Sequence, residues 1–194
     1  MPVNPVRGPL LSGATDSTAQ QGGGPASNGA SITVLGIDPG TSRMGYGVVT
    51  LSDGTLSYLA CGIVSAAPGL PDALRLKDLY KHLTVLMKKY RPNAVGVEDL
   101  FFTNNKKTAI AVAGARGIAL LVAAQRGVPA HTFTPPQVKQ AVAGYGQADK
   151  RQVQHMTKSL LKLSAVPRPD DAADALAVAI CCAHSLPMLQ LQKG

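Results

Sequence analysis

The stretch Val34-Leu35-Gly36-Ile37-Asp38-Pro39-Gly40 predicts a buried strand that carries one carboxylate to its end. A continuous apolar run bounded by Pro and Gly is typical of a strand covered on both faces. A charge at the tip of such a strand is costly unless something pairs with it, and a metal ion is one candidate. The alternative is that Asp38 only begins a turn, a position where Asp is common.

Length and charge set the broad class of the protein. The 194 residues suffice for one domain of ordinary size with a proper core, and the net charge is +8. The first thirty residues contain only Arg7 and Asp16 as charged side chains, so the whole positive excess lies in residues 31–194. A compact basic domain has nucleic acid as its leading partner, and a generic solvated surface is the alternative.

Composition also predicts how the chain is divided. Residues 1–30 are rich in Gly, Pro, Ser, Ala and Gln and have no aromatic residue, so we expect a disordered tail. The folded domain is expected over residues 31–186, with a frayed C-terminus over 187–194.

The sequence also bears on location. We expect that no apolar stretch is long and polar-free enough to span a membrane, and that the chain has no signal peptide. Three cysteines without CxxC spacing indicate reduced thiols in a cytoplasmic protein.

The first half of the domain predicts an antiparallel meander, then a helix and a parallel strand. Residues 45–51 and 56–64 are β-prone and flank an Asp-Gly pair, which is a hairpin signal. Apolar residues at helical spacing predict a helix over residues 71–90. Residues 93–98 form a short buried strand that again ends on a carboxylate, Glu98. The intervening helix favours a parallel arrangement next to the first strand.

The second half is predicted to be mainly helical. Helices are expected over residues 106–126, 149–163 and 170–184, with a fifth strand over 128–134 that a double proline ends. This order of elements predicts an α/β fold with a mixed five-stranded sheet and helices on both faces.

The last predicted helix opens with three aspartates in five positions, Asp170, Asp171 and Asp174. Asp at an N-cap or in a first turn is routine, and Asp170 suits that capping role. Asp171 and Asp174 are three positions apart, so they share one face of the first turn. Like charges at this spacing repel, and a divalent cation would relieve the repulsion.

Four carboxylates are therefore candidates for one site. Asp38 and Glu98 end two adjacent strands, at the edge where open α/β sheets often bind ligands, and Asp171 and Asp174 lie at a helix end. An all-oxygen set without His or Cys suits Mg²⁺ or Mn²⁺. Two such ions about 3.5–4 Å apart can stabilise the attacking and leaving oxygens of a phosphodiester. In a basic protein, this chemistry points to a nuclease.

Six short motifs between about Ile32 and His184 together identify a family. They are Gly36-Ile-Asp38-Pro-Gly40 with Gly45-Tyr-Gly-Val, Val97-Glu98 with a following Phe, Gly114-Ala-Arg116-Gly117, Gln137-Val-Lys139-Gln140, Gln152-Val-Gln-His155-Met156 and Asp171-Ala-Ala-Asp174-Ala-Leu-Ala. No single motif is decisive, but six in the right order and spacing are highly specific. The chain resembles the RuvC family of bacterial Holliday-junction resolvases, in the RNase H-like superfamily.

The resemblance implies a homodimeric endonuclease that resolves four-way junction DNA by paired, symmetric cleavage in homologous recombination and DNA repair. It makes Asp38, Glu98, Asp171 and Asp174 the catalytic, metal-binding set, with Mg²⁺ or Mn²⁺ and two ions per active site. The RuvA-RuvB branch-migration complex is the expected partner. The tail over residues 1–30 has no counterpart in the family pattern.

The resemblance also suggests residues that contact DNA. It places Lys139 and Lys150 near the scissile phosphate and Phe101 on an unpaired base at the crossover, with Phe102 as the alternative for that base. Further candidate contacts are Lys106, Lys107, Arg116 and Arg151. Two carboxylates depart from the family pattern: spacing favours Asp171 over Asp170 as the ligand, and Asp99 is expected to point away from Glu98.

Three other functions are weighed. The Gly-Ile-Asp-x-Gly-Thr pattern also opens sugar kinases and actin-like ATPases, but those folds need two such lobes and this chain is too short for them. A YqgF-like RNA-processing nuclease is the nearest alternative within the superfamily. A junction-binding protein without catalysis would need no set of four carboxylates.

Overall fold

The computed structural model describes residues 31–99 and 106–191, which form five strands and five helices. The strands are β1 (Ile32–Pro39), β2 (Arg43–Ser52), β3 (Thr55–Ser65), β4 (Ala94–Glu98) and β5 (Ala130–Phe133). The helices are α1 (Asp72–Tyr90), α2 (Lys106–Gln125), α3 (Pro135–Ala143), α4 (Lys150–Leu160) and α5 (Asp170–Leu191). The predicted tail over residues 1–30 and the predicted DNA contact Phe101 lie outside the described residues.

The five strands form one mixed sheet in the order β3-β2-β1-β4-β5. Strands β1, β2 and β3 pair antiparallel, whereas β4 lies parallel to β1 and β5 lies parallel to β4. The predicted meander and the predicted parallel neighbour of the first strand are both confirmed. Because β1 and β4 are parallel and adjacent, their C-terminal ends reach the same edge of the sheet.

Helices cover both faces of the sheet, as predicted. On one face, α1 and α2 pack through residues such as Leu79 and Leu83 against Leu35 and Ile37 of β1. On the other face, α5 forms the centre of a second core, and α3 and α4 pack behind it. The two cores hold β1 between them, which is why nearly all of that strand is apolar.

A row of glycines brings α5 unusually close to the sheet. Gly47, Gly36 and Gly96 lie in register on three adjacent strands. A Cβ added at Gly36 would lie 2.2 Å from the backbone oxygen of Ala175, and one added at Gly47 would lie 2.6 Å from Leu176 Cα. The backbone of α5 therefore contacts the backbone of the sheet, and a glycine in a strand marks such a close approach.

Two helices are long and apolar enough, by length and composition alone, to cross a membrane, so the prediction that no stretch qualifies was wrong. The window Asp170–Leu189 in α5 is 67% buried within the protein, and helices of a protein core pass the same test. The window Thr108–Gln125 in α2 is only 22% buried. Much of the apolar surface of α2 is thus left uncovered by the rest of the described chain.

Helix α5 ends later than predicted, and helix α3 was not predicted. Helix α5 runs to Leu191 and includes Pro187, instead of ending at His184. Leu186 is buried in the core, which favours continuation of the helix beyond the predicted end. The double proline that ends the fifth strand also begins α3, because the first helical positions need no backbone N–H.

Gly36→Ala is expected to lower the free energy of unfolding by at least about 1–3 kcal/mol, the usual cost of overpacking a core. The added methyl would meet backbone atoms of α5 at 2.2 Å and 2.4 Å, and these cannot move without shifting the helix. Urea unfolding followed by circular dichroism measures the change.

Gly146→Ala is the matched control, because its added Cβ would lie 3.4 Å from the backbone oxygen of Pro136, an ordinary contact. Equal stability of the Gly36→Ala and Gly146→Ala variants would contradict the close packing of α5.

Candidate active site

Two carboxylates meet at the edge of the sheet where β1 and β4 end. Ile37 and Val97 are register partners, so Asp38 and Glu98, the next residue of each strand, are neighbours. A side-chain hydrogen bond between the two carboxyl groups contributes to the pKa shifts of both residues. The parallel pairing predicted from the sequence is what brings these side chains together.

The start of α5 brings two further carboxylates to the same place. Gly45 is the register partner of Asp38, and a Cβ added there would lie 2.0 Å from the backbone oxygen of Asp171. The charges of Asp171 and Asp174 both act on Asp38. The structure thus groups the four predicted residues, and we call Asp38, Glu98, Asp171 and Asp174 the carboxylate cluster.

Burial and mutual repulsion make the carboxylate cluster electrostatically unfavourable. Burial and then the charges of Glu98, Asp174 and Asp171 raise the pKa of Asp38 to about 8. Burial also raises the pKa of Glu98, and the hydrogen bond from Asp38 opposes that increase. A positive charge at this position would lower both pKa values, because an opposite charge favours the ionised form.

Lysines approach the cluster from α3 and α4. Lys150 Nζ lies 2.9 Å from Asp174 Oδ2 and 3.4 Å from Asp170 Oδ2. Partial burial lowers the pKa of Lys150, but the contacts with Asp174 and Asp170 outweigh it, so the pKa is raised overall. The charges of Lys150 and of Lys139, on α3, act to lower the pKa of Glu98. Both predicted lysines therefore lie beside the carboxylates.

Arg43 is a cation of the site that sequence reasoning missed. Its Nε lies 2.6 Å from Asp171 Oδ2, although the pair lacks hydrogen-bond geometry, so this buried oxygen accepts no hydrogen bond. The position of Arg43 in the chain could have identified it. Arg43 begins β2 and lies next to Met44, the register partner of Pro39, so it lies close to the end of β1 that carries Asp38.

The donor set fits a hard divalent cation. All candidate donors are carboxylate oxygens, Asp38 is buried among like charges, and Asp171 Oδ2 has no hydrogen-bond donor. Within residues 31–99 and 106–191, however, no three His, Cys, Asp or Glu side chains are arranged as they lie so that they could hold a metal ion. Asp171 and Asp174 instead face the cations Arg43 and Lys150.

The two additional carboxylates have partners outside the cluster. Asp170 contacts Arg168 and Lys150, and its charge is not among those that act on Asp38. Asp99 lies 3.3 Å from Arg116 Nη2 of α2.

The predicted DNA contacts outside the cluster have different surroundings. Arg116 also donates a hydrogen bond to Thr132 Oγ1 at 3.2 Å, so its guanidinium is engaged within the fold. Arg151 is exposed at the start of α4. The side chains of Lys106 and Lys107, like Phe101, lie outside the described residues.

Comparison with known proteins gives a consistent match. A family profile described as crossover junction endodeoxyribonuclease RuvC matches residues 34–182. The crossover junction endodeoxyribonuclease RuvC of Roseiflexus sp. (strain RS-1) is 52% identical over 161 residues, or 82% of this chain and 96% of the relative. The solved structure of Thermus thermophilus RuvC in complex with a Holliday junction substrate is 37% identical, with a TM-score of 0.76 over 81% of this chain and 96% of that chain.

The yeast mitochondrial Holliday junction resolvase, at 12% identity and a TM-score of 0.60, shares the fold alone. The family resemblance read from the six motifs is confirmed, as is the RNase H-like α/β fold.

Asp38→Asn is expected to stabilise the chelator-treated protein, more at pH 8 than at pH 5. Folded Asp38 keeps a proton to about pH 8, whereas the unfolded chain releases it near 3.8, so stability falls as the pH rises through this window. An uncompensated buried polar group costs about 1–3 kcal/mol, and we expect a gain of that order at pH 8. Chemical denaturation at both pH values measures it.

Asp53→Asn provides the control, because Asp53 lies exposed in the β2–β3 turn and should leave the pH dependence unchanged. An Asp38→Asn variant with the same pH dependence as the wild type would show that Asp38 is ionised normally.

Proposed function

Because this chain belongs to the RuvC family of crossover junction endodeoxyribonucleases, we propose that it resolves Holliday junctions by hydrolysis at the carboxylate cluster. The observation that carries this assignment of the site is the convergence of four carboxylates at one edge of the sheet, flanked by lysines, in a chain of net charge +8. An excess of positive charge favours a nucleic-acid substrate. Paired cleavage of a junction completes homologous recombination and recombinational repair.

In this proposal the carboxylate cluster holds Mg²⁺ or Mn²⁺, two ions per active site. Bound divalent metal supplies an activated water and neutralises charge on the oxygens of the phosphodiester. Two observations support such a site: Asp171 Oδ2 accepts no hydrogen bond although Arg43 lies beside it, and no cation is among the groups that act on the raised pKa of Asp38. Asp38, the most strongly perturbed of the four, would be the central ligand.

The lysines act on the phosphate. Lys150 and Lys139 flank the cluster, and we propose that they neutralise charge that develops at the scissile phosphate. An ammonium suits this role as a mobile point charge on a flexible stem. Arg43, which is 61% exposed, can turn from Asp171 toward a phosphate on the solvent side.

The DNA surface extends beyond the cluster. The Thermus thermophilus relative has been solved with a Holliday junction substrate, and we propose the same substrate for this chain. Phe101, Lys106, Lys107 and Arg151 remain the proposed contacts of its arms and crossover. Arg116 would have to leave Asp99 to join them. Affinity is expected to fall steeply with salt, because phosphate contacts dominate binding.

We propose that two copies of this chain assemble through α2. Between Thr108 and Ala124 its exposed positions form one stripe along the helix, made of Ile110, Ala113, Gly117, Leu121 and Ala124. A stripe of this kind at spacings of three and four residues is one helix face, and its small members allow a partner helix to approach closely. A two-fold dimer presents two equivalent sites to the two equivalent strands of a junction.

We also propose that the protein works with the RuvA-RuvB branch-migration complex in the cytoplasm.

Asp38→Asn is expected to leave junction binding within about twofold of the wild type and to reduce nicking by at least about 10³-fold, a loss typical of removing a group that acts on the transition state. The amide keeps the shape of the side chain but loses the charge. Binding is measured by gel shift in EDTA, and nicking with Mg²⁺ on a four-way junction. The exposed Asp53→Asn is the control and should cleave normally.

Cleavage retained by Asp38→Asn would contradict the assignment of the site. Cleavage of structured RNA in preference to four-way DNA would favour the YqgF-like alternative, and junction binding without any Mg²⁺- or Mn²⁺-dependent cleavage would favour a binding protein.

Leu121→Glu is expected to shift the protein from dimer to monomer, because a charge would be buried between two α2 helices. Leu121 is 47% exposed in the single chain. Sedimentation velocity measures the mass. Val85→Glu is the matched control, since Val85 is 51% exposed on α1, away from the stripe. A Leu121→Glu protein that sediments as the wild type does would rule out the α2 interface.

A further inference from the structure

Asp170 stands apart from the other two aspartates that open α5. Asp171 and Asp174 act on Asp38, whereas Asp170 acts on Asp174 only and contacts two cations, Lys150 and Arg168. Both contacts of Asp170 are therefore with protein side chains that flank the carboxylate cluster.

Lys150 is shared between two carboxylates that have different surroundings. Its ammonium lies 2.9 Å from Asp174 Oδ2, inside the cluster, and 3.4 Å from Asp170 Oδ2, outside it. An ammonium has three donors, so both contacts can form together. If the Asp174 carboxylate binds a metal ion, the contact with Lys150 weakens, and Asp170 is the partner that remains.

We propose that Asp170 is a positioning residue that holds Lys150 at the rim of the carboxylate cluster, with Arg168 fixing Asp170 in turn. Asp170 draws the ammonium from Asp174, which leaves that carboxylate available to metal, and it retains Lys150 beside the scissile phosphate afterwards. The inference deepens the proposed function and rests on it, because it takes Asp174 as a metal ligand.

Loss of Asp170 has two possible effects on metal binding, which must be separated. Without Asp170, Lys150 would pair with Asp174 alone and compete with the metal ion for its oxygens. Removal of a negative charge near the cluster would also weaken cation binding through space, independently of Lys150. Only the first effect requires Lys150. The two effects also predict opposite changes in metal affinity when the charge of Arg168 is removed.

A double-mutant cycle between Asp170 and Lys150 tests the inference, with Mn²⁺ affinity of the full-length protein measured by calorimetry. Asp170→Asn is expected to weaken Mn²⁺ binding about fivefold in the wild type and less than about twofold in Lys150→Ala, because residues in contact couple and the lysine is then absent. Asp170→Glu, which keeps a carboxylate, should bind Mn²⁺ within about twofold of the wild type. An equal loss in both backgrounds would overturn the positioning role.

Arg168→Ala separates the two effects, because they predict opposite changes in Mn²⁺ affinity. Deletion of a positive charge strengthens cation binding through space, whereas release of Asp170 from its anchor should weaken it. We expect weaker Mn²⁺ binding and a higher Mg²⁺ requirement for nicking, and tighter binding would overturn the proposal.

Failure of the proposed function would have a different signature. A wild-type protein that neither binds Mn²⁺ nor cuts a junction with it would reject the metal site itself. A wild type that binds and cuts, with Asp170→Asn unchanged, would reject only the role of Asp170.

Discussion

The backbone contact between α5 and the sheet is the constraint on which the rest of the structure depends. Gly47, Gly36 and Gly96 remove side chains from three adjacent strands, so the helix lies directly on the sheet. This packing forms one of the two cores. It also fixes the first turn of α5 over Gly45, beside Asp38, and thereby places two carboxylates from a distant part of the chain next to the two at the strand ends.

The same contact creates an electrostatic problem that the surrounding residues partly relieve. Four carboxylates are held together by packing, and burial with mutual repulsion raises the pKa of Asp38. Arg43 and Lys150 compensate Asp171 and Asp174 from the solvent side, while a side-chain hydrogen bond links Asp38 to Glu98. Functional sites commonly concentrate such perturbed groups, because the unfavourable arrangement is relieved by the ligand. Packing of the fold therefore holds four carboxylates together although their mutual repulsion opposes this arrangement.

Much of the fold and of the cluster was predictable from the sequence because the relevant signals are local. Alternation of apolar runs with an Asp-Gly turn gave the meander, and a helix between two buried strands gave the parallel neighbour of β1. Helical spacing placed Asp171 and Asp174 on one face. The helix boundary at His184 was wrong because burial of Leu186, a tertiary effect, outweighs the local signal of Pro187.

The sequence by itself determined the meander, the parallel neighbour of β1, the positions of the four carboxylates and the family, since these follow from periodicity, spacing and motif order. Only the tertiary structure decided which cation lies on which carboxylate: Arg43 on Asp171, Lys150 between Asp174 and Asp170, and Arg116 on Asp99. The physical reason is that ion pairs between residues far apart in the chain depend on distances of a few ångströms, and no local pattern encodes those distances.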